Sequence, residues 1–66
     1  MKNPKECLMV LRAIKRHADE WQVYTWSAEV LGAWLRRELP GTVHGATING
    51  MMSKAHQLKI VNVLDR

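Results

Sequence analysis

The sequence contains a single cysteine, Cys7. One thiol forms neither an intrachain disulfide nor a thiolate metal cluster, so both are excluded as sources of stability. The lack of a second cysteine fits a protein of the reducing cytosol.

Long apolar runs are also missing. No run approaches the roughly 18–20 residues that cross a bilayer, and Met1–Glu6 is not followed by the apolar core of about 7–15 residues that a signal peptide needs. We therefore expect a cytoplasmic protein that does not enter a membrane.

Phenylalanine is absent, and the aromatic residues are three tryptophans and one tyrosine. Apolar residues still make up 47% of the chain, which is a globular rather than a disordered composition. With 66 residues, we expect one domain over residues 1–66. A chain this short buries only about 60% of its unfolded surface, so self-association stays open.

Acidic residues are scarce: six Asp and Glu stand against ten Lys and Arg, giving a net charge of +4 and a pI near 9.7. Such a balance favours a polyanionic partner. The alternative is a basic domain that binds no polyanion, since net charge alone does not distinguish the two. No acidic residue lies between Glu38 and Asp65. This stretch can therefore approach phosphates without local repulsion.

The first half of the chain predicts two helices. Asn3 is a good N-cap before Pro4, and the helical spacing that follows predicts a helix over residues 4–20. After a short extended segment at residues 22–25, Ser27 is the N-cap of a second helix that Pro40-Gly41 ends. The apolar positions that we expect to face the core are Cys7, Leu8, Leu11, Ile14, Ala18 and Trp21 in the first helix, and Val30, Leu31, Trp34, Leu35 and Leu39 in the second.

The second half predicts a third helix over residues 42–58, followed by a β-rich run at residues 60–64. Glycines at 45 and 50 each cost about 1 kcal/mol of helix propensity relative to alanine, so this helix depends on tertiary packing. Its expected buried positions are Ile48, Met51, Met52, Ala55 and Leu58.

Two helices joined by a short turn, the second rich in small polar residues, form the helix-turn-helix pattern. Residues 43–61 resemble the winged helix-turn-helix family, with Lys59-Ile60-Val61 at the place where the family enters its wing strand. The resemblance implies a mainly α fold with a small β element, a three-helix winged-helix-like domain. It also implies binding of double-stranded DNA, in the manner of a small bacterial or phage regulator of transcription or recombination.

Short side chains let a helix enter the major groove, and Asn, Ser, Thr and basic groups are suited to contact bases or phosphates there. The residues predicted to read bases are Thr47, Asn49, Gly50 and Ser53, and those predicted to position the backbone are His44, Lys54, Lys59, Arg36 and Arg37. The plainer alternative is that these side chains are only solvated, and that Gly50 marks a close approach between helices.

The sequence departs from the family after the last strand. The wing would continue with a turn and a returning strand, yet only Asp65 and Arg66 follow. Either the wing is absent or the chain is part of a longer protein. The strand at 60–64 would then have an unpaired edge that a second copy could cover, which predicts a possible homodimer.

A protein-binding adaptor or inhibitor on the same scaffold is the alternative function, since two lysines on the reading helix are few for a DNA-binding protein. The three tryptophans are expected in the core, and an exposed one would favour a protein partner. The methionines are expected as core filler. His17 lies near Asp19 and Glu20, but nothing supplies a further ligand or a nucleophile motif, so we expect no enzyme, metal or cofactor.

Overall fold

A computed structural model describes residues 3–65, which form three helices and two short strands. This confirms the prediction of a mainly α fold with a small β element. In chain order the elements are α1 (Pro4–Trp21), β1 (Thr25–Ser27), α2 (Ala28–Glu38), α3 (Gly45–Gln57) and β2 (Asn62–Leu64).

The predicted starts of α1 and α2 and the predicted end of α2 are confirmed. The Asn3 side chain accepts the backbone N–H groups of Lys5 and Glu6 at 3.0 and 3.4 Å, and the Ser27 hydroxyl accepts that of Val30 at 3.0 Å. These bonds satisfy donors that a helix start leaves without partners. At the other end, α2 stops at Glu38, two residues before Pro40.

The sheet differs from the predicted strands. The predicted extended segment at 22–25 overlaps β1 at Thr25 alone, and the run at 60–64 forms a strand only at Asn62–Leu64. The two strands pair in parallel, with Trp26 opposite Val63. β2 starts later than predicted because the Ile60 N–H still donates to the Ala55 carbonyl, in the turn that ends α3.

This pairing corrects the expectation of an unpaired last strand, since β1 of the same chain covers one edge of β2. A wing would return from β2 as an antiparallel strand, whereas the described sheet is parallel and has two strands. The homodimer stays a prediction, and only the other edge of β2 now supports it.

The core lies between the three helices and the inner face of β2. Its largest fully buried side chains are Val10, Ile14, Leu31, Leu35, Met52 and Val63. Met51 and Met52 are buried as predicted, but Met9 is 41% exposed.

Besides Trp21, three apolar residues that were expected in buried stripes are exposed instead. Leu8, Val30 and Leu58 expose 47%, 56% and 54% of their surface. Leu58 follows the last residue of α3, Val30 is one residue before buried Leu31, and Leu8 is two residues before buried Val10. A step of one residue turns a side chain by about 100° around the helix axis, which is enough to leave the core.

The prediction that the tryptophans form the core is wrong. Trp21 is 66% exposed, and Trp26 and Trp34 are only half-buried. His17 takes the buried position among them, with its imidazole ring 3.6 Å from the Trp34 ring and 4.7 Å from the Trp26 ring, centroid to centroid. The indoles therefore surround a polar ring at the edge of the core.

Candidate nucleic-acid interface

α3, the predicted reading helix, begins at Gly45 rather than Thr42. The reason lies in the preceding turn, where the Val43 N–H donates to the Pro40 carbonyl at 3.0 Å. His44 is the N-cap, and its side chain makes no capping hydrogen bond. Its carbonyl accepts the N–H groups of Thr47 and Ile48, at 3.0 and 3.1 Å.

The inner face of α3 removes one residue from the predicted base-reading set. Thr47 is 8% exposed and lies with Met51 and Ala55 on the buried side. These residues are spaced by four, so they lie above one another on a helix. The expectation that Thr47 faces outward was therefore wrong, and its side chain is not available to a DNA base.

The outward face of α3 is small and uncharged. Asn49 is exposed, and Gly50 and Ser53 are partly exposed. Asn49 and Ser53 are one turn apart, and Gln57 continues the same row by another turn. We call this surface, made of Ala46, Asn49, Gly50, Ser53 and Gln57, the outer α3 face.

Gln57 was missed by the sequence reasoning, although it is exposed and has the same amide group as Asn49. Its spacing of four residues from Ser53 and eight from Asn49 was the signal that could have found it. An Asn or Gln amide can donate to and accept from an adenine edge in the major groove.

Positive charge flanks the outer α3 face without lying on it. Lys54 is exposed, between the outer face and buried Thr47 around the helix. Lys59 is exposed in the turn after α3, in a left-handed backbone conformation with φ of 59°. α3 itself contains no acidic residue, so no side chain of this helix repels a phosphate.

The two predicted arginines differ in their relation to α3. Both are exposed in the last turn of α2. Arg36 lines a cleft of about 250 Å³ together with Gly45 and Ile48 of α3, whereas Arg37 is not among its lining residues. The structure thus brings Arg36, but not Arg37, next to the start of α3.

The three histidines lie in separate places. His44 is exposed at the start of α3, and His17 is buried in α1. His56 is partly buried, and its Nδ1 accepts the Val63 N–H at 3.0 Å, which ties α3 to β2. Within residues 3–65, no three His, Cys, Asp or Glu side chains are grouped so that they could hold a metal ion.

α1 has more basic residues than α3. Lys5, Arg12, Lys15 and Arg16 are all exposed there. Lys15 pairs with Asp19 at 2.8 Å, and Arg16 with Glu38 at 3.4 Å.

Over the described residues, no helix has the length and apolar character needed to cross a membrane. Comparison of the chain with protein-family models, with curated protein sequences and with solved structures found no significant match.

Proposed function

We propose that the protein binds double-stranded DNA by placing α3 in the major groove. The observation that carries this proposal is the outer α3 face, which has no acidic group and no side chain larger than glutamine. A helix needs such a face because the major groove, about 12 Å wide, admits it only when the contacting side chains are short.

Within this proposal, Asn49 and Gln57 read base edges and Ser53 contacts a base or a phosphate. Gly50 and Ala46 allow close approach of the helix backbone. Thr47 has no role, because it is buried.

The phosphate contacts come from the residues that flank this face. Lys54 and Lys59 neutralise phosphates beside and beyond the C-terminal end of α3. His44 and the helix N–H groups around it meet a phosphate at the N-terminal end, where the helix dipole is positive. Arg36 supports that end from α2, and Arg37 contributes charge from further away.

The role that fits these contacts is that of a small bacterial or phage regulator of transcription or recombination, acting in the cytoplasm. Few phosphate contacts imply modest affinity for a single copy, and a homodimer on two half-sites would raise it.

The test is fluorescence anisotropy with labelled duplexes of random sequence, from low to physiological salt. We expect binding that weakens steeply as salt rises. Lys54→Gln is expected to lower both the affinity and the salt dependence, whereas Lys15→Gln, an equal change of charge on α1, is expected to have little effect. No binding at low salt, or equal losses in both variants, would exclude reading by α3.

A second candidate function, a protein-binding adaptor or inhibitor, is favoured by exposed apolar and aromatic side chains at the end of α1 and just after it. Trp21, Val23 and Tyr24 are 66%, 40% and 48% exposed. Tryptophan and tyrosine are enriched at interface hot spots. The double change Lys54→Glu with Lys59→Glu separates the two functions, because it should abolish DNA binding and leave a mostly apolar protein contact intact.

A further inference from the structure

A groove of about 730 Å³ runs along α1 where that helix passes the end of α2. Its apolar surface comes from Leu8 and Met9 on α1 and from Leu39 and Pro40 beyond α2. Leu8 and Met9 are 47% and 41% exposed, whereas Leu39 is buried. We call this surface the α1 groove.

The rim of the α1 groove is basic. Lys5, Arg12 and Arg16 line it, and the first and last are 11 positions apart on the helix, or about 16 Å at 1.5 Å per residue. Glu38 is the only acidic residue that lines the groove, and Arg16 holds it in an ion pair at 3.4 Å. Lys5 and Arg12 form no ion pair with any residue in the described range.

We propose that the α1 groove binds an amphipathic helix of a partner protein, about three turns long, with an apolar stripe edged by Asp and Glu. The apolar stripe covers Leu8 and Met9, and the carboxylates pair with Lys5 and Arg12. An amphipathic helix in a groove is a common way for proteins to recognise one another. This interaction goes beyond the proposed DNA binding and does not depend on it.

The charge and the exposed apolar residues of the α1 groove together favour an acidic amphipathic helix over DNA or a second copy. DNA would satisfy the basic rim but would leave Leu8 and Met9 facing a polar backbone. A second copy docked through the same groove would cover the apolar residues, but it would bring two basic rims together. Like charges placed opposite each other across an interface weaken association. An acidic helix satisfies both features.

The experiment uses displayed libraries of 14-residue peptides with leucines at helical spacing and randomised outer positions. The positions next to the leucines are Glu in one library, Gln in the second and Lys in the third. Selection against the full chain is expected to enrich the Glu library. The enriched peptides, made synthetically and labelled, should bind with a Kd below about 100 µM.

Two groove variants and two controls test where these peptides bind. Met9→Glu and Arg12→Glu place negative charge in the groove and should weaken binding at least about tenfold. Val30→Glu changes an exposed apolar residue outside the groove, and Lys54→Glu reverses a charge outside it. Both controls should stay within about twofold of the unchanged protein. Circular dichroism verifies that each variant retains its helices.

Four results would overturn the proposal. The first is enrichment of the Lys library or of none, and the second is peptide binding that the groove variants leave unchanged. The third is a lack of acidic binders together with loss of duplex DNA binding in Arg12→Glu, which would assign the groove to DNA. The fourth is a dimer in analytical ultracentrifugation that Met9→Glu dissociates, which would assign it to a second copy. DNA binding through α3 is measured separately, so its failure would not affect this test.

Discussion

The imidazole of His17 stacks on the indole of Trp34, with ring centroids 3.6 Å apart and planes inclined by 15°. His17 is 4% exposed, and this burial lowers its pKa below the ordinary value of 6.5. Glu20 and Glu38 oppose the effect, but desolvation is larger. The folded protein therefore favours the neutral ring more strongly than the unfolded chain does.

Acidification should consequently destabilise the protein through His17. As the pH falls below about 6.5, the unfolded chain binds the proton first, and stability declines until the pH passes the lower pKa of the folded state. Urea unfolding between pH 8 and pH 5 measures this decline. His17→Phe retains an aromatic ring at this position and should lose less stability on acidification. His44 and His56 are present in both proteins, so the comparison concerns residue 17 alone. Equal losses in the two proteins would show that His17 is not responsible.

His56→Ala should destabilise the protein by about 1–3 kcal/mol, because the Val63 N–H loses the Nδ1 acceptor that it meets at 3.0 Å. Val63 is 1% exposed, so water does not readily replace this acceptor. The matched control is His44→Ala, since the exposed His44 side chain caps nothing. Urea denaturation at pH 8 compares the stabilities of His56→Ala and His44→Ala. Similar unfolding midpoints would contradict a stabilising hydrogen bond between α3 and β2.

The hydroxyl of Tyr24 donates to the Asp19 carboxylate at 2.8 Å, and this bond raises the pKa of Tyr24 above 10.0. Asp19→Asn should therefore lower the Tyr24 pKa toward that value. The chain has one tyrosine, so an absorbance titration of tyrosinate reports on this residue alone. Glu20→Asn, at the neighbouring position, should leave the titration unchanged. A Tyr24 pKa that is the same with and without Asp19 would refute the bond.

Two glycines should differ in their tolerance of larger side chains. A Cβ on Gly32 would lie 3.3 Å from Arg36 Nη1 and 3.4 Å from the terminal carbon of Met52, whereas one on Gly45 would meet nothing within 4 Å. Gly32→Leu should destabilise by about 1–3 kcal/mol through overpacking between α2 and α3. Gly45→Ala should be neutral or should stabilise by up to about 1 kcal/mol.

Thermal unfolding followed by circular dichroism measures both glycine variants. The expected order of midpoints is Gly45→Ala at or above the unchanged protein, and Gly32→Leu below it. A Gly32→Leu protein as stable as the original would mean that α2 and α3 are less tightly packed than the structure shows.

Local signals in the sequence determined the helices. Asn3 and Ser27 act as caps through bonds to backbone groups two or three residues away, and Pro40 ends α2 because proline restricts the residue before it and has no N–H. Such effects require no distant partner. The scarcity of acidic residues after Glu38 is likewise a property of the sequence alone.

Tertiary structure decided which side of each helix is buried. The apolar pattern in the sequence locates the buried side only approximately, and the contacts with neighbouring helices fix which positions are covered. Packing therefore buried Thr47 and exposed Leu58. The same packing placed His17 among three indoles, although on the sequence alone the tryptophans were the better core candidates.

The strand pairing and the α1 groove could not be predicted from the sequence either. β1 and β2 meet in parallel because the intervening α2 and α3 bring distant segments together, which three-residue strands cannot specify by their own pattern. In the sequence, Leu8 and Met9 are only two apolar residues on a helix. They line a groove because the end of α2 lies beside them in the folded protein. The sequence by itself determined the helices and their charges, because those depend on near neighbours. The tertiary structure decided which surfaces are free to bind, because that depends on what each helix packs against.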